Sequence, residues 1–123
     1  MFEDSKAISS FSADDIAKVK TFYGDTLHIR VSDGPMGMLM LHLAGGTDVM
    51  VYPKENHAPA SFTVLNLRVD DIDKAVDTLT ERGVELEEYG TSDQDARGIA
   101  RGDGPPIAWF KDPAGNILSV LQA

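Results

Sequence analysis

Apolar residues recur along this chain with two different periods. Ile72, Ala75, Val76 and Leu79 stand at i, i+3, i+4 and i+7, with Asp71 before them and Gly83 after, which predicts an amphipathic helix with an N-cap and a glycine stop. Ile16, Val19, Phe22 and Tyr23 form a matching stripe behind Asp15. Elsewhere the period falls to two. Strand-like runs precede the helices at residues 7–13 and 61–69, and shorter alternating runs follow them at 27–31, 38–43 and 49–52, then at 84–89, 107–110 and 117–121. Gly34, Pro35, Gly45 and Gly46 break the first set. Each half therefore reads strand, helix, three strands, with residues 53–59 as the connector.

The two halves also share a sequence signature. Asp14, Asp15, Ile16, Ala17, Lys18 returns as Asp70, Asp71, Ile72, Asp73, Lys74 at an offset of 56, and each copy opens a helix. At 123 residues with 42% hydrophobic content the chain is expected to form one domain with its own core.

Composition removes several classes of function. The absence of cysteine excludes disulfides, thiolate catalysis and thiolate-bound zinc. A net charge of -9 repels nucleic-acid phosphates and anionic membrane surfaces, so neither is an expected partner. Residues 70–95 carry ten acids and two bases, hence -8 of that charge. Such a stretch reads either as a solvated helix face and edge strand or as an attraction for a cationic ligand. Met1 to Lys6 shows neither a basic start nor an apolar run, so no signal or transit peptide is expected and a cytoplasmic location is the default. Residues 90–106, rich in glycine and ending in Pro105 and Pro106, read as a long loop of the kind that often covers a site. Its Arg97 and Arg101 are candidates for an anion or for salt bridges.

The repeat, the segment FYGDTL at 22–27 and WFKDPAGNILSVLQ at 109–122 together resemble the vicinal oxygen chelate superfamily, the group of glyoxalase I, extradiol dioxygenases and bleomycin resistance proteins. The resemblance covers nearly the whole chain. It implies an α+β fold of two βαβββ modules, about 5–53 and 60–123, whose sheets pair into a cup, and it implies a homodimer. The motif around Asp112, Pro113 and Gly115 reads as a hairpin turn rather than as chemistry.

Metal-using members of the superfamily place ligands on the cup-facing side of the first and last strands of each module. Counting back from the helix-opening aspartates and on from the hairpin glycines puts Ile8, Met50, Val64 and Ser119 at those positions. Hydrocarbon, a thioether and a neutral hydroxyl are poor donors for zinc, nickel or iron. No metal and no other cofactor is therefore expected.

Strand alternation then assigns faces. Leu39, Leu41 and Leu43 belong to the core beneath a helix, leaving Met38, Met40 and His42 for the cup. Thr63, Leu65, Leu67 and Val69 are assigned to the helix side, leaving Val64 and Asn66 opposite. By the same parity Ser10 joins Ile8, Tyr52 joins Met50, and Leu121 joins Ser119, with Trp109 nearby. An apolar wall with a few converging polar groups suits a small-molecule pocket. Each residue also has a plainer reading: His42 as a half-buried histidine with satisfied nitrogens, Tyr52 and Trp109 as packing, and the methionines as filling. His28 and His57 read as surface residues. The expected function is metal-independent binding of a small molecule; the alternative is a diverged enzyme of the superfamily, of lyase, isomerase or dioxygenase type, with an unusual metal site or none and with His42 and Tyr52 as acid and base.

Overall fold

A computed structural model describes residues 1–123. The chain divides into two compact units, Met1–Ala58 and Pro59–Ala123. The architecture is mixed α+β, with one four-stranded and one three-stranded sheet and a helix in each unit.

In the first unit, β1 (Ser9–Ala13) leads into α1 (Ile16–Thr21), followed by β2 (Arg30–Asp33), β3 (Leu39–Leu43) and β4 (Thr47–Pro53). The strand order is β1-β4-β3-β2, with β1 and β4 parallel and the remaining pairs antiparallel. Phe11, Ala13, Leu39, Leu41, Val49 and Val51 are all buried, as are Val19 and Tyr23, which places the core on one face of the sheet as alternation requires. The β3–β4 hairpin closes through Gly45 (φ +87) and Gly46 (φ +78), positive values that a side chain would oppose and that match the twist of tight hairpin turns.

One boundary departs from the sequence pattern. Residues 27–29, read above as the start of a strand, follow a π turn at Phe22–Thr26. The Leu27 amide is used by the Phe22 carbonyl at 2.9 Å and the Ile29 amide by the Tyr23 carbonyl at 2.9 Å, so neither is free for a ladder. The widened turn carries the segment FYGDTL and holds Tyr23 in the core against Phe11, ring centroids 6.2 Å apart. The strand proper starts at Arg30.

The second unit contains β5 (Thr63–Val69), α2 (Ile72–Glu81), β6 (Ile107–Lys111) and β7 (Ile117–Gln122). The order is β5-β7-β6, parallel then antiparallel. Ile72, Val76 and Leu79 of α2 are buried together with Ala108, Phe110, Leu118 and Val120. The repeated aspartates behave alike: Asp15 caps α1 by accepting from the Lys18 amide at 3.2 Å, and Asp71 caps α2 by accepting from the Lys74 amide at 3.1 Å. Their backbone angles are nearly the same, φ -134 and ψ 98 against φ -140 and ψ 104.

Residues 84–89 do not form the first of the three strands expected after α2. Only Leu86 bridges to Phe110, and the Glu87 amide reaches the Trp109 carbonyl at 2.8 Å. The reason lies in Gln94, whose side chain accepts from the Tyr89 amide at 2.8 Å and donates to the Glu87 carbonyl at 2.8 Å and the Gly98 carbonyl at 2.9 Å. A side-chain amide has taken up backbone groups that a ladder would have used. The 90–106 segment is correspondingly well tied. Ile99 and Ala100 are buried, Ala100 and Ile107 exchange two backbone hydrogen bonds, and both arginines bind α2.

Candidate functional site

The face of the four-stranded sheet opposite its core is where the predicted residues gather. Ser10 pairs with Met50, Met50 with Met40, and Met40 with Ser32, so these four form one row across all four strands. Paired residues on neighbouring strands point to the same side, so the row presents a serine at each edge and two thioethers at the centre. Both methionines are half-buried. Tyr52, paired with Ser12, lies beyond Met50 on the same face with 36% of its surface exposed. Met38 lies just outside β3 and is half-buried.

His42 sits in the next row, between Arg30 on β2 and Asp48 on β4. Its Nδ1 lies 2.9 Å from Asp48 Oδ1 and its Nε2 lies 2.7 Å from Ser32 Oγ. Both ring nitrogens are engaged. Tyr52 is four residues along β4 from Asp48, about 13 Å at the rise of an extended strand, so the sheet does not bring His42 and Tyr52 together as an acid and base pair. The structure instead gives His42 two neighbours that the sequence reading passed over, Ser32 and Asp48. The registers of β2 and β4 against β3 were the missing signals. His57, read above as a surface residue, is half-buried, with Nδ1 2.7 Å from Ser12 Oγ.

In the second unit Asn66 pairs with Ser119 and Ser119 with Trp109, again one row across the sheet. Ser119 is fully buried and donates to Asn66 Oδ1 at 2.6 Å, while Asn66 itself is exposed. Trp109 meets Tyr89 edge to face, centroids 5.4 Å apart. Burial raises the Tyr89 hydroxyl pKa, Glu87 raises it further, and Lys111 opposes them.

The assignment of Thr63 and Val64 needs correction. Thr63 pairs with Ile117 and Leu65 with Leu118, so the ladder shifts between them and Val64 is an extra residue. A bulge breaks strict alternation. Thr63 falls in register with the side of β7 that carries Ile117 and Ser119, not with the helix side.

The four positions at which a metal would be sought have poor donors in this fold as well. Ile8 precedes β1 and is 54% exposed, Met50 sits in the methionine row, Val64 is the bulged residue, and the Ser119 hydroxyl is committed to Asn66. No group of three or more histidine, aspartate or glutamate side chains gathers around a point that could hold a cation. These residues do not fit a hard or borderline divalent ion.

Comparison with known proteins agrees with the fold. The model of the Glyoxalase/Bleomycin resistance protein/Dioxygenase superfamily matches residues 9–120. The chain belongs to that superfamily. Among solved structures it is similar to TnmS3, an antibiotic binding protein from Streptomyces sp. CB03234, at 27% identity over 97% of each chain with a TM-score of 0.70. A glyoxalase/bleomycin resistance protein from the same organism is 28% identical over 96% of this chain and 100% of that one, with a TM-score of 0.68. Lactoylglutathione lyase from Agrobacterium tumefaciens shares the fold, with 16% identity over 98% and 94% of the two chains and a TM-score of 0.70. No curated protein sequence matches the chain significantly. No helix is long and apolar enough to cross a membrane.

Proposed function

We propose that this superfamily member binds a small organic molecule without the help of a divalent metal. The observation that carries the reading is the asymmetry of the first sheet. One face is sealed by buried aliphatic and aromatic side chains, while the other offers Met40, Met50, Tyr52 and His42 with part of each surface still open to solvent. Large polarizable side chains beside a few fixed polar groups are the composition of a pocket wall, and thioethers adapt to ligands of irregular shape. The row of Trp109, Ser119 and Asn66 in the second unit has the same character. The likeness to an antibiotic binding protein supports an organic ligand of that general kind. The net charge of -9 favours a neutral or cationic one.

Trp109 is the single tryptophan, so its fluorescence is a direct probe. Titration with a panel of aromatic and cationic antibiotics, checked by calorimetry, is expected to give saturable binding that Met50→Ala and Asn66→Ala weaken. Absence of heat and of fluorescence change across the panel overturns the drug-binding form of the reading. Elemental analysis of protein purified without a histidine tag tests metal independence, and stoichiometric nickel, zinc, iron or manganese refutes it. Modules of this superfamily pair across chains, so a homodimer is part of the proposal, read by light scattering at two concentrations.

A further inference from the structure

The arrangement around His42 has a chemical capacity that ligand binding does not use. We infer that Ser32 is a nucleophile, with His42 as its general base and Asp48 as the residue that positions the histidine, and that this group accepts the acyl portion of carboxylic esters bound on the sheet face. An ionised carboxylate only accepts hydrogen bonds, so Asp48 Oδ1, 2.9 Å away, takes the proton-bearing Nδ1 of His42. In the neutral ring this leaves the lone pair on Nε2, which is 2.7 Å from Ser32 Oγ and placed to accept from its hydroxyl. Nucleophile, base and orienting carboxylate thus stand in hydrogen-bonded sequence, the pattern by which an activated serine is recognised irrespective of fold.

Three strands hold the three groups. Ser32 is on β2, His42 on β3 and Asp48 on β4; Asp48 pairs directly with His42, and Ser32 is two residues on from Arg30, which also pairs with His42. Ser32 is exposed and can be reached by a substrate. Its ladder partner is Met40, so an apolar acyl group has a thioether surface beside the attacking oxygen. Arg30 shares the face with His42 and brings a positive charge to the row.

In the step proposed, Ser32 Oγ attacks the ester carbonyl carbon while its proton passes to His42 Nε2. The carbon–oxygen bond to the alcohol then breaks, and the leaving oxygen takes that proton, giving an acyl-serine and a free alcohol. Water then attacks the acyl carbon while giving a proton to the same nitrogen, the bond to Ser32 Oγ breaks, Oγ takes that proton back, and the carboxylic acid leaves. No oxidant, reductant or metal enters the balance.

The test uses the whole chain with p-nitrophenyl butyrate, following p-nitrophenolate release together with intact mass and peptide mapping. Wild type is expected to show a burst and a butyryl increment on the peptide containing Ser32. Ser32→Ala and His42→Ala are each expected to lower the rate by about 100-fold or more, the scale of a lost nucleophile or general base. Asp48→Asn is expected to lower kcat with little change in KM and to alter the tautomer read from the imidazole nitrogen shifts, which a purely structural carboxylate would not do. Ser61→Ala, an exposed residue of the other unit, serves as the unaffected control. Ligand binding is read separately on wild type from Trp109 fluorescence, so that binding without p-nitrophenolate release overturns this inference and leaves the binding proposal standing. A rate unchanged in Ser32→Ala, or a butyryl group found elsewhere, overturns it.

Discussion

Replacement of Asp112 by alanine should be among the most damaging single changes in the second unit. Asp112 is only 5% exposed and closes the turn between β6 and β7. Its Oδ1 accepts from the Ala114 and Asn116 amides, each at 2.9 Å, and its Oδ2 accepts from the Asn116 side chain at 3.1 Å. A hydrogen bond to a charged group contributes roughly 1.5–3 kcal/mol, and three sharing one carboxylate are not additive, so the loss is about 3–5 kcal/mol. Asp112→Asn keeps an oxygen for the two backbone amides but sets a second amide against that of Asn116, and should cost about 1–2 kcal/mol. Urea unfolding followed by Trp109 fluorescence reports the right unit, because Trp109 lies on β6. With a urea slope of roughly 1–3 kcal/mol per molar, the alanine variant should lower the midpoint by about 1–5 M at unchanged slope. The consequence reaches the site, since this hairpin sets the register that pairs Trp109 with Ser119. A loss below about 1 kcal/mol, or an asparagine variant as unstable as the alanine one, refutes the reasoning.

The two capping aspartates give a matched pair: Asp15→Ala and Asp71→Ala should each destabilise by about 1 kcal/mol, measured by urea unfolding of the single variants. Gly98→Ala should cost at least about 1 kcal/mol in the same assay, because φ is +88 and a Cβ there would stand 3.1 Å from that of Leu86. The tether of the 90–106 segment should loosen in acid. Burial raises the Asp95 pKa, but the amides of Ile99 and Arg97 and the Arg101 guanidinium outweigh it, leaving the pKa lowered overall. A carboxylate depressed in the folded state adds stability above its unfolded pKa, near 3.9, and loses it as pH falls through the folded value. Amide exchange of residues 95–101 is therefore expected to speed up below about pH 4 relative to that of β7. Equal protection at pH 7 and pH 3 would refute this tether.

The helices were legible because burying a stripe demands a fixed spacing, and the same demand acts in both copies of the repeat. Leu39 and Leu41 were legible for the analogous reason in strands: both are fully buried beneath α1's side of the sheet. The errors share a cause. Residues 27–29 and 84–89 alternate well enough to be strands, but their fate was decided by who took the backbone hydrogen bonds: the Phe22 and Tyr23 carbonyls in one case, the Gln94 side chain in the other. Periodicity measures which side chains can be buried and is blind to that competition.

The same blindness explains how the candidate site changed. Parity along one strand told which face Met40, His42 and Met50 occupy, and the ladder places Met40 and Met50 side by side. It could not tell which residue of a neighbouring strand stands opposite, because that depends on register, and a slip of one residue would have exchanged every partner. Ser32 and Asp48 meet His42 only because β2 and β4 hold one register against β3. In the second sheet a single extra residue at Val64 was enough to carry Thr63 across to the other face. Chemistry in this fold is therefore written between strands. The consequence is testable in the first unit alone: Gly45 and Gly46 set the β3–β4 register through their positive φ values, so Gly46→Val should disturb the His42 and Asp48 pairing although it touches neither residue. Loss of the hydrogen-bonded His42 Nδ1 proton signal in that variant, with the α1 core still protected from exchange, is the expected result, and an unchanged signal would mean that side-chain contacts, not the turn, hold the strands in place.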